Sequence, residues 1–289
     1  MKKLKNYLLL PACSLAFFIS CNNDDNPVAN NITLHFNNTF KEKTIQLGDP
    51  TSSTATVNTS AEGQVHHFSE LKYVISNIRL IKADGAEFPY NVNDLDKGAT
   101  VINQAKPHTL DYVLTNIPAG EYKQIRFGLG VKHELNDLDQ ARFPKFYDEA
   151  GANDTEMHWQ WATGYRFTKL EGFYDTDNKA MSIHTGSTLN GDRNDPSSWV
   201  QGVDAYRDIT LTLTDNAIVG SNAPQITIEA DFDKLLSGNT EITLEAGNAT
   251  TPTVHSGNKM ENMVLFVDNL GGNGSSDLTG MFSVKSVEN

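Results

Sequence analysis

Apolar residues recur at every second position in short runs, and turn residues separate the runs. Ile32, Leu34 and Phe36 alternate with polar neighbours, as do Leu110, Tyr112 and Leu114, then Ile209, Leu211 and Leu213, then Ile226 and Ile228. A period of two marks a strand with one buried face. The longest run, residues 71–80, changes parity midway: Leu71, Tyr73 and Ile75 share one face, Ile78 and Leu80 the other. That switch predicts a bulge near Ser76 and Asn77. No βα alternation and no internal repeat is present. The pattern predicts an all-β fold, an antiparallel β-sandwich with one or two short helices, formed by a single domain over residues 31–289. Residues 110–114 and 122–131, joined through Ile117-Pro118-Ala119-Gly120, read as an antiparallel hairpin. Ile242 and Leu244 read as a short strand. Met260, Met263, Val264 and Val267 have helical spacing ahead of the stop Gly271-Gly272, and residues 231–236 read as one helical turn. Residues 133–156 are polar and long for a passive connection, so they read as a lid or as an insertion with a short helix.

Residues 1–20 read as a lipoprotein signal peptide. Lys2, Lys3 and Lys5 precede an apolar stretch, residues 8–19, too short to span a bilayer comfortably. Phe18-Ile19-Ser20-Cys21 resembles the bacterial lipobox, which implies cleavage before Cys21 and lipidation of that cysteine. Residues 21–30 then form a flexible tether. Asp24 and Asp25 resemble the export signals of surface lipoproteins in the Bacteroidetes. The expected location is the outer membrane, facing the periplasm or the surface, with the lipid anchor as the membrane contact. Cys13 leaves with the signal and Cys21 carries lipid, so the mature domain holds no thiol. Disulfides, cysteine nucleophiles and thiolate metal sites are excluded. A balance of 23 basic against 36 acidic residues also excludes nucleic acid as a natural partner.

The densest aromatic run is residues 157–172. If it is a strand, Trp159 and Trp161 share a face and His158 points the other way. Two readings stand open: a packed aromatic strand in a β core, or a metal pocket lined by these rings. The chain has eight histidines, none in H-x-x-x-H or H-E-x-x-H spacing. Taken singly, each reads first as a surface or hydrogen-bonded residue. His184 stands out because Gly186 leaves room for approach. Acidic turns at Asp137/Asp139, Asp175/Asp177 and Asp192/Asp195 offer oxygen ligands for calcium, without EF-hand spacing; solvated turns are the simpler reading. There is no G-x-S-x-G and no glycine-rich phosphate loop, so no enzymatic role is expected.

Several stretches, in order, resemble the MbnP-like family, periplasmic or surface copper-binding proteins named for a protein of methanobactin operons. Leu71-Lys72-Tyr73-Val74-Ile75-Ser76-Asn77-Ile78-Arg79-Leu80 is similar to the family's tyrosine-bearing strand. Gly120-Glu121-Tyr122 with Ile125-Arg126-Phe127-Gly128-Leu129-Gly130-Val131 is similar to its next segment. Trp159-Gln160-Trp161-Ala162-Thr163-Gly164-Tyr165 with Leu170-Glu171-Gly172 carries the most specific likeness, and His184-Thr185-Gly186-Ser187 follows. His255-Ser256 and Met281-Phe282-Ser283-Val284 resemble the ending. The resemblance implies a β-sandwich that binds copper. In some members a partner diheme enzyme oxidises a tryptophan to kynurenine, whose amine becomes a copper ligand. Carried onto this chain, Trp159 and Trp161 are the modification candidates. His184 is the first histidine ligand, with His35, His255 and His158 behind it. The expected role is copper acquisition, carriage or buffering; the competing reading is a structural or interaction lipoprotein without copper, stabilised by calcium.

Overall fold

The computed structural model describes residues 30–151, 155–159, 164–192, 194–246, 251–254, 260–272 and 280–289. The signal segment, Cys21, Trp161 and His255 lie outside the described residues. Along the described chain run β1 (Ile32–Phe40), β2 (Lys43–Thr44), β3 (Asn58–Thr59), β4 (Val65–Lys82), β5 (Glu87–Pro89), α1 (Leu95–Gly98), β6 (Thr100–Asn103), β7 (Asp111–Leu114) and β8 (Gly120–Leu129). Then come α2 (His133–Asn136), α3 (Pro144–Ala150), β9 (Thr168–Tyr174), β10 (Lys179–Thr185), β11 (Leu189–Asn190), β12 (Val200–Gln201) and β13 (Arg207–Val219). The chain ends with β14 (Gln225–Asp231), α4 (Lys234–Ser237), β15 (Thr253–Val254), α5 (Met260–Gly271) and β16 (Phe282–Glu288). Among the described residues no helix is long and apolar enough to cross a membrane.

The all-β sandwich is as expected. One sheet has the order β16-β14-β1-β2, with β7 also on β1. The larger has the order β13-β8-β4-β9-β10-β15, with β3, β5 and β6 also on β4. The pairing is not wholly antiparallel, because β1 runs parallel to β14 and β10 parallel to β15. The helical pieces are short but more numerous than one or two. Phe36 of β1 enters edge-on between Tyr73 of β4 and Phe127 of β8, with ring centroids 6.1 and 6.2 Å away. Edge contacts of this kind satisfy the ring quadrupoles while filling the space between layers. The buried Tyr73 hydroxyl donates to Asn38 Oδ1 at 2.8 Å, and Asn38 Nδ2 donates to Gln104 Oε1 at 2.8 Å, so the Tyr73 hydroxyl and the Asn38 amide are both satisfied.

The parity switch in β4 is a bulge: Asn77 has φ +51°, and the register to β8 shifts between Ser76 and Arg79. Both halves of the run thereby keep their apolar side chains inward. The expected hairpin does not form. β7 pairs with β1 in the smaller sheet, while β8 lies between β4 and β13 in the larger. Both strands must face one core, and the turn carries the chain from one layer to the other. Tyr122 fixes this corner by donating its hydroxyl to the Pro118 carbonyl at 2.7 Å. Ile242 and Leu244 are buried but not in a strand; the Leu244 amide donates instead to Gln64 Oε1 at 2.8 Å. The helix on the 260–267 spacing forms, buries Met263, Phe266, Val267 and Leu270, and stops where Gly272 adopts φ +74°.

Candidate metal site

On the outward face of the larger sheet, β4, β9 and β10 lie side by side. Leu71, Leu170 and Ile183 point into the core. Their sequence neighbours therefore point outward. Lys72, Lys169 and His184 form one cross-strand row there, and Glu70, Glu171 and Ser182 form the next.

Over this face folds a hook made by residues 155–159 and 164–167. Its two arms meet at a single bridge between His158 and Tyr165, with the Trp159 amide bonded to the Gly164 carbonyl at 3.1 Å and the Arg166 amide to the Met157 carbonyl at 2.7 Å. The described part is thus no strand of the core, contrary to one of the two sequence readings. Residues 133–151 support it. The Met157 amide donates to the Ala150 carbonyl of α3 at 2.8 Å, and the Tyr165 amide to Asn136 Oδ1 of α2 at 2.9 Å. Gly164 has φ +87° and a hydrogen facing Asn136 where any side chain would collide.

Trp159 is buried, and its ring lies 6.2 Å from that of His184. The Arg166 guanidinium covers the indole, 4.4 Å from the ring centroid, and Nη1 donates to the Glu156 carbonyl and, at 2.9 Å, to the His158 carbonyl. Burial lowers the Arg166 pKa, with Glu156, Glu171 and Glu70 opposing. Position 186 is glycine for a steric reason: a β-carbon there would stand 3.0 Å from both Trp159 Nε1 and the Tyr165 carbonyl oxygen. The Gly186 amide donates to Met263 Sδ of α5 at 3.3 Å.

His184 is buried, with Nε2 2.7 Å from Glu171 Oε1 and 3.3 Å from Ser182 Oγ. The bond from His184 holds the Glu171 carboxyl below the usual range, against the opposing effect of its burial. A carboxylate on one ring nitrogen fixes the imidazole's orientation and raises its basicity, as it does for metal-bound histidines. The other histidine candidates do not join this group. His158 meets Tyr147 and Tyr165 edge-on at 5.2 and 5.1 Å, and burial lowers its pKa, helped by Arg166. His35 lies on the outward face of the other sheet, with Nδ1 2.7 Å from Asp111 Oδ1. The sandwich separates it from His184. His255 and Trp161 lie outside the described residues; His255 directly follows Val254, which pairs with Ile183.

Among the described residues, no three His, Cys, Asp or Glu side chains gather as a metal site. The acidic turns have local work: Asp139 caps Ala141 at 2.8 Å, Asp195 bonds the Ser197 amide at 3.0 Å, and Asp175 pairs with Lys179 at 3.5 Å. The described donors at His184 are its imidazole, the Glu171 carboxylate and the Ser182 hydroxyl, a mixed set that suits an imidazole-binding metal such as copper better than calcium, which takes about six to eight oxygens. An intact indole N–H is a donor only. Sequence reasoning missed Glu171 as the partner of His184, and Lys72, Lys169 and Arg166 as residues of the same covered face. Glu171 and Lys169 share the outward parity of β9, a signal that was readable; the cover over them was not.

No curated protein sequence matches the chain. A solved structure, "MbnP from Methylosinus trichosporium", is 14% identical, with 89% of this chain and 98% of that chain covered and a TM-score of 0.53. At that identity the likeness establishes the fold. The MbnP family pattern itself matches residues 29–256, a span that takes in the bulged strand β4, the hook and the His184 strand. With that match and the shared sandwich, the chain belongs to the MbnP family.

Proposed function

We propose that this protein binds copper outside the cytoplasm, anchored to the outer membrane through a lipid on Cys21, and serves copper acquisition, carriage or buffering rather than catalysis. The observation that carries the reading is the buried pair of Trp159 and His184, ring centroids 6.2 Å apart, with His184 oriented by Glu171 at 2.7 Å. His184 is the ligand, and Glu171 acts through it as a positioning residue. Family membership supports copper as the metal. Trp159 is the favoured residue for oxidation to kynurenine because it is the indole beside that histidine. The conversion breaks the indole C2–C3 bond and adds two oxygen atoms, a four-electron oxidation that takes one dioxygen or two peroxides, and water then cleaves the N-formyl group as formate to free the aryl amine; the oxidant comes from outside this chain, the role the resemblance gives to a diheme partner.

The test uses mature protein from its native source. Metal content and the mass of the peptide over residues 157–172 are measured together, and the same protein is then challenged with copper. Copper retained by wild type and lost on His184→Ala is the expected result. No copper uptake by wild type, even after incubation, would overturn the reading. Copper without a mass change would keep it and remove the kynurenine.

A further inference from the structure

We propose that Arg166 guards the indole of Trp159 against one-electron oxidation, through the charge it lays on the ring. The inference deepens the reading of Trp159 as the residue converted to kynurenine and rests on that reading for its purpose; the charge effect itself needs no metal.

The contact follows from the pairing of the hook. The bridge between His158 and Tyr165 sets Trp159 opposite Gly164 and Met157 opposite Arg166. Gly164 has no side chain, and Arg166, two positions on, lays its guanidinium over the indole, 4.4 Å from the ring centroid. Its Nη1 bonds go to the backbone carbonyls of Glu156 and His158. Nε is buried and has no hydrogen-bond partner among the described residues. The carboxylates of this face are engaged elsewhere: Glu156 with Lys169, Glu70 with Lys72 and Lys169, and Glu171 with His184. The guanidinium charge therefore rests on the ring with only neutral acceptors bonded to it. Trp159 is 3% exposed, so little water screens the pair.

The sign of the effect follows from charge. A cation over an intact indole is attracted by the negative face of the ring. Removing an electron makes the ring positive and turns that attraction into repulsion, which partial burial strengthens. An oxidant must then do more work to take an electron from Trp159. Such a barrier keeps the indole intact toward weak diffusible oxidants and reserves it for the strong oxidant of a diheme partner.

The experiment compares the full mature chain with Arg166→Met, which keeps the cover and removes the charge, and Arg166→Lys, which keeps the charge. All three are made copper-free in a host without diheme oxidases, and an unshifted mass for residues 157–172 confirms intact indoles. The probe is the azide radical, a neutral one-electron oxidant generated by radiolysis. It takes one electron from the indole and leaves as azide, and the ring's radical cation releases its Nε1 proton to water. Loss of unmodified residue 159 is followed by fragment masses and referred to loss at Trp199 in the same sample. Expected is loss at residue 159 about tenfold faster in Arg166→Met than in wild type, equal to about 1.4 kcal/mol of barrier and within the range of a desolvated cation–π contact. Arg166→Lys should stay close to wild type. Equal rates in wild type and Arg166→Met would overturn the proposal. So would equal acceleration in both variants, since a disturbed hook rather than a lost charge would then bare the ring. A native-source peptide without the kynurenine shift would overturn the reading of Trp159 as the converted residue and leave the charge effect standing.

Discussion

Lys72 and Lys169 stand opposite each other on neighbouring strands, and their ammonium groups meet at one oxygen, Glu70 Oε1, at 2.6 and 2.9 Å. Like charges directly opposite on a sheet repel, and both side chains are less than a tenth exposed. Glu70 offsets the repulsion. Lys169 also lies 2.5 Å from Glu156, and Lys72 donates to the Thr155 carbonyl at 2.9 Å. Burial depresses the Lys169 pKa, but the bonds to Glu156 and Glu70 outweigh it and leave the pKa raised. The two lysines thus fasten the hook that carries Trp159 to the sheet.

Glu70→Gln should therefore leave two buried ammonium groups with one carboxylate, Glu156, between them. Breaking a buried ion pair from one side costs on the order of 3 kcal/mol. Urea unfolding measures it. A loss below about 1 kcal/mol would place the pair in the range of surface salt bridges and show that water screens it.

Gly186→Ala should displace the indole, because the added carbon meets Trp159 Nε1 and the Tyr165 carbonyl at 3.0 Å. Overpacking of this kind costs about 1–3 kcal/mol. Near-ultraviolet circular dichroism should lose part of its tryptophan signal along with the drop in melting temperature. An unchanged spectrum and melt would mean that the hook yields without strain.

His66 contributes to the acid limb of stability. It lies in β4 at 1% exposure, edge-on to Phe40 and Phe68 at 5.1 and 6.1 Å. Burial pulls its pKa from 6.5 down to about 4, against the opposing pull of the Gln64 carbonyl and Asp233. The unfolded chain therefore binds a proton between pH 6.5 and about 4 that the folded chain refuses. Stability is lost as pH falls through that window, by about 3 kcal/mol from this one group. His66→Phe should flatten the curve there by that amount. Parallel curves for the two proteins, measured by denaturation from pH 7 to 4, would remove His66 from the explanation.

The alternating runs specified the sandwich, and the parity switch between Ile75 and Ile78 specified the bulge at Asn77, because side-chain period and burial are local properties of a strand. The spacing of Met263, Val264 and Val267 marked α5 for the same reason, and Trp159 and His184 were legible from the family's word order. Partners across the sheets were not. Residues 110–114 and 122–131 look like a hairpin in sequence, yet the turn between them changes layers, since which edge a strand joins depends on the whole sheet. Strand pairing turns Lys72, Lys169 and Glu171 onto one outward polar face, which went unread in the sequence. Only the tertiary structure buries that face, by laying residues 155–159 and 164–167 across it. The same packing brings Glu171 to His184 and sets Met263, 77 positions along the chain, against Gly186. Burial and charge pairing at such distances are set by the docking of hook and helix, and no local pattern encodes it.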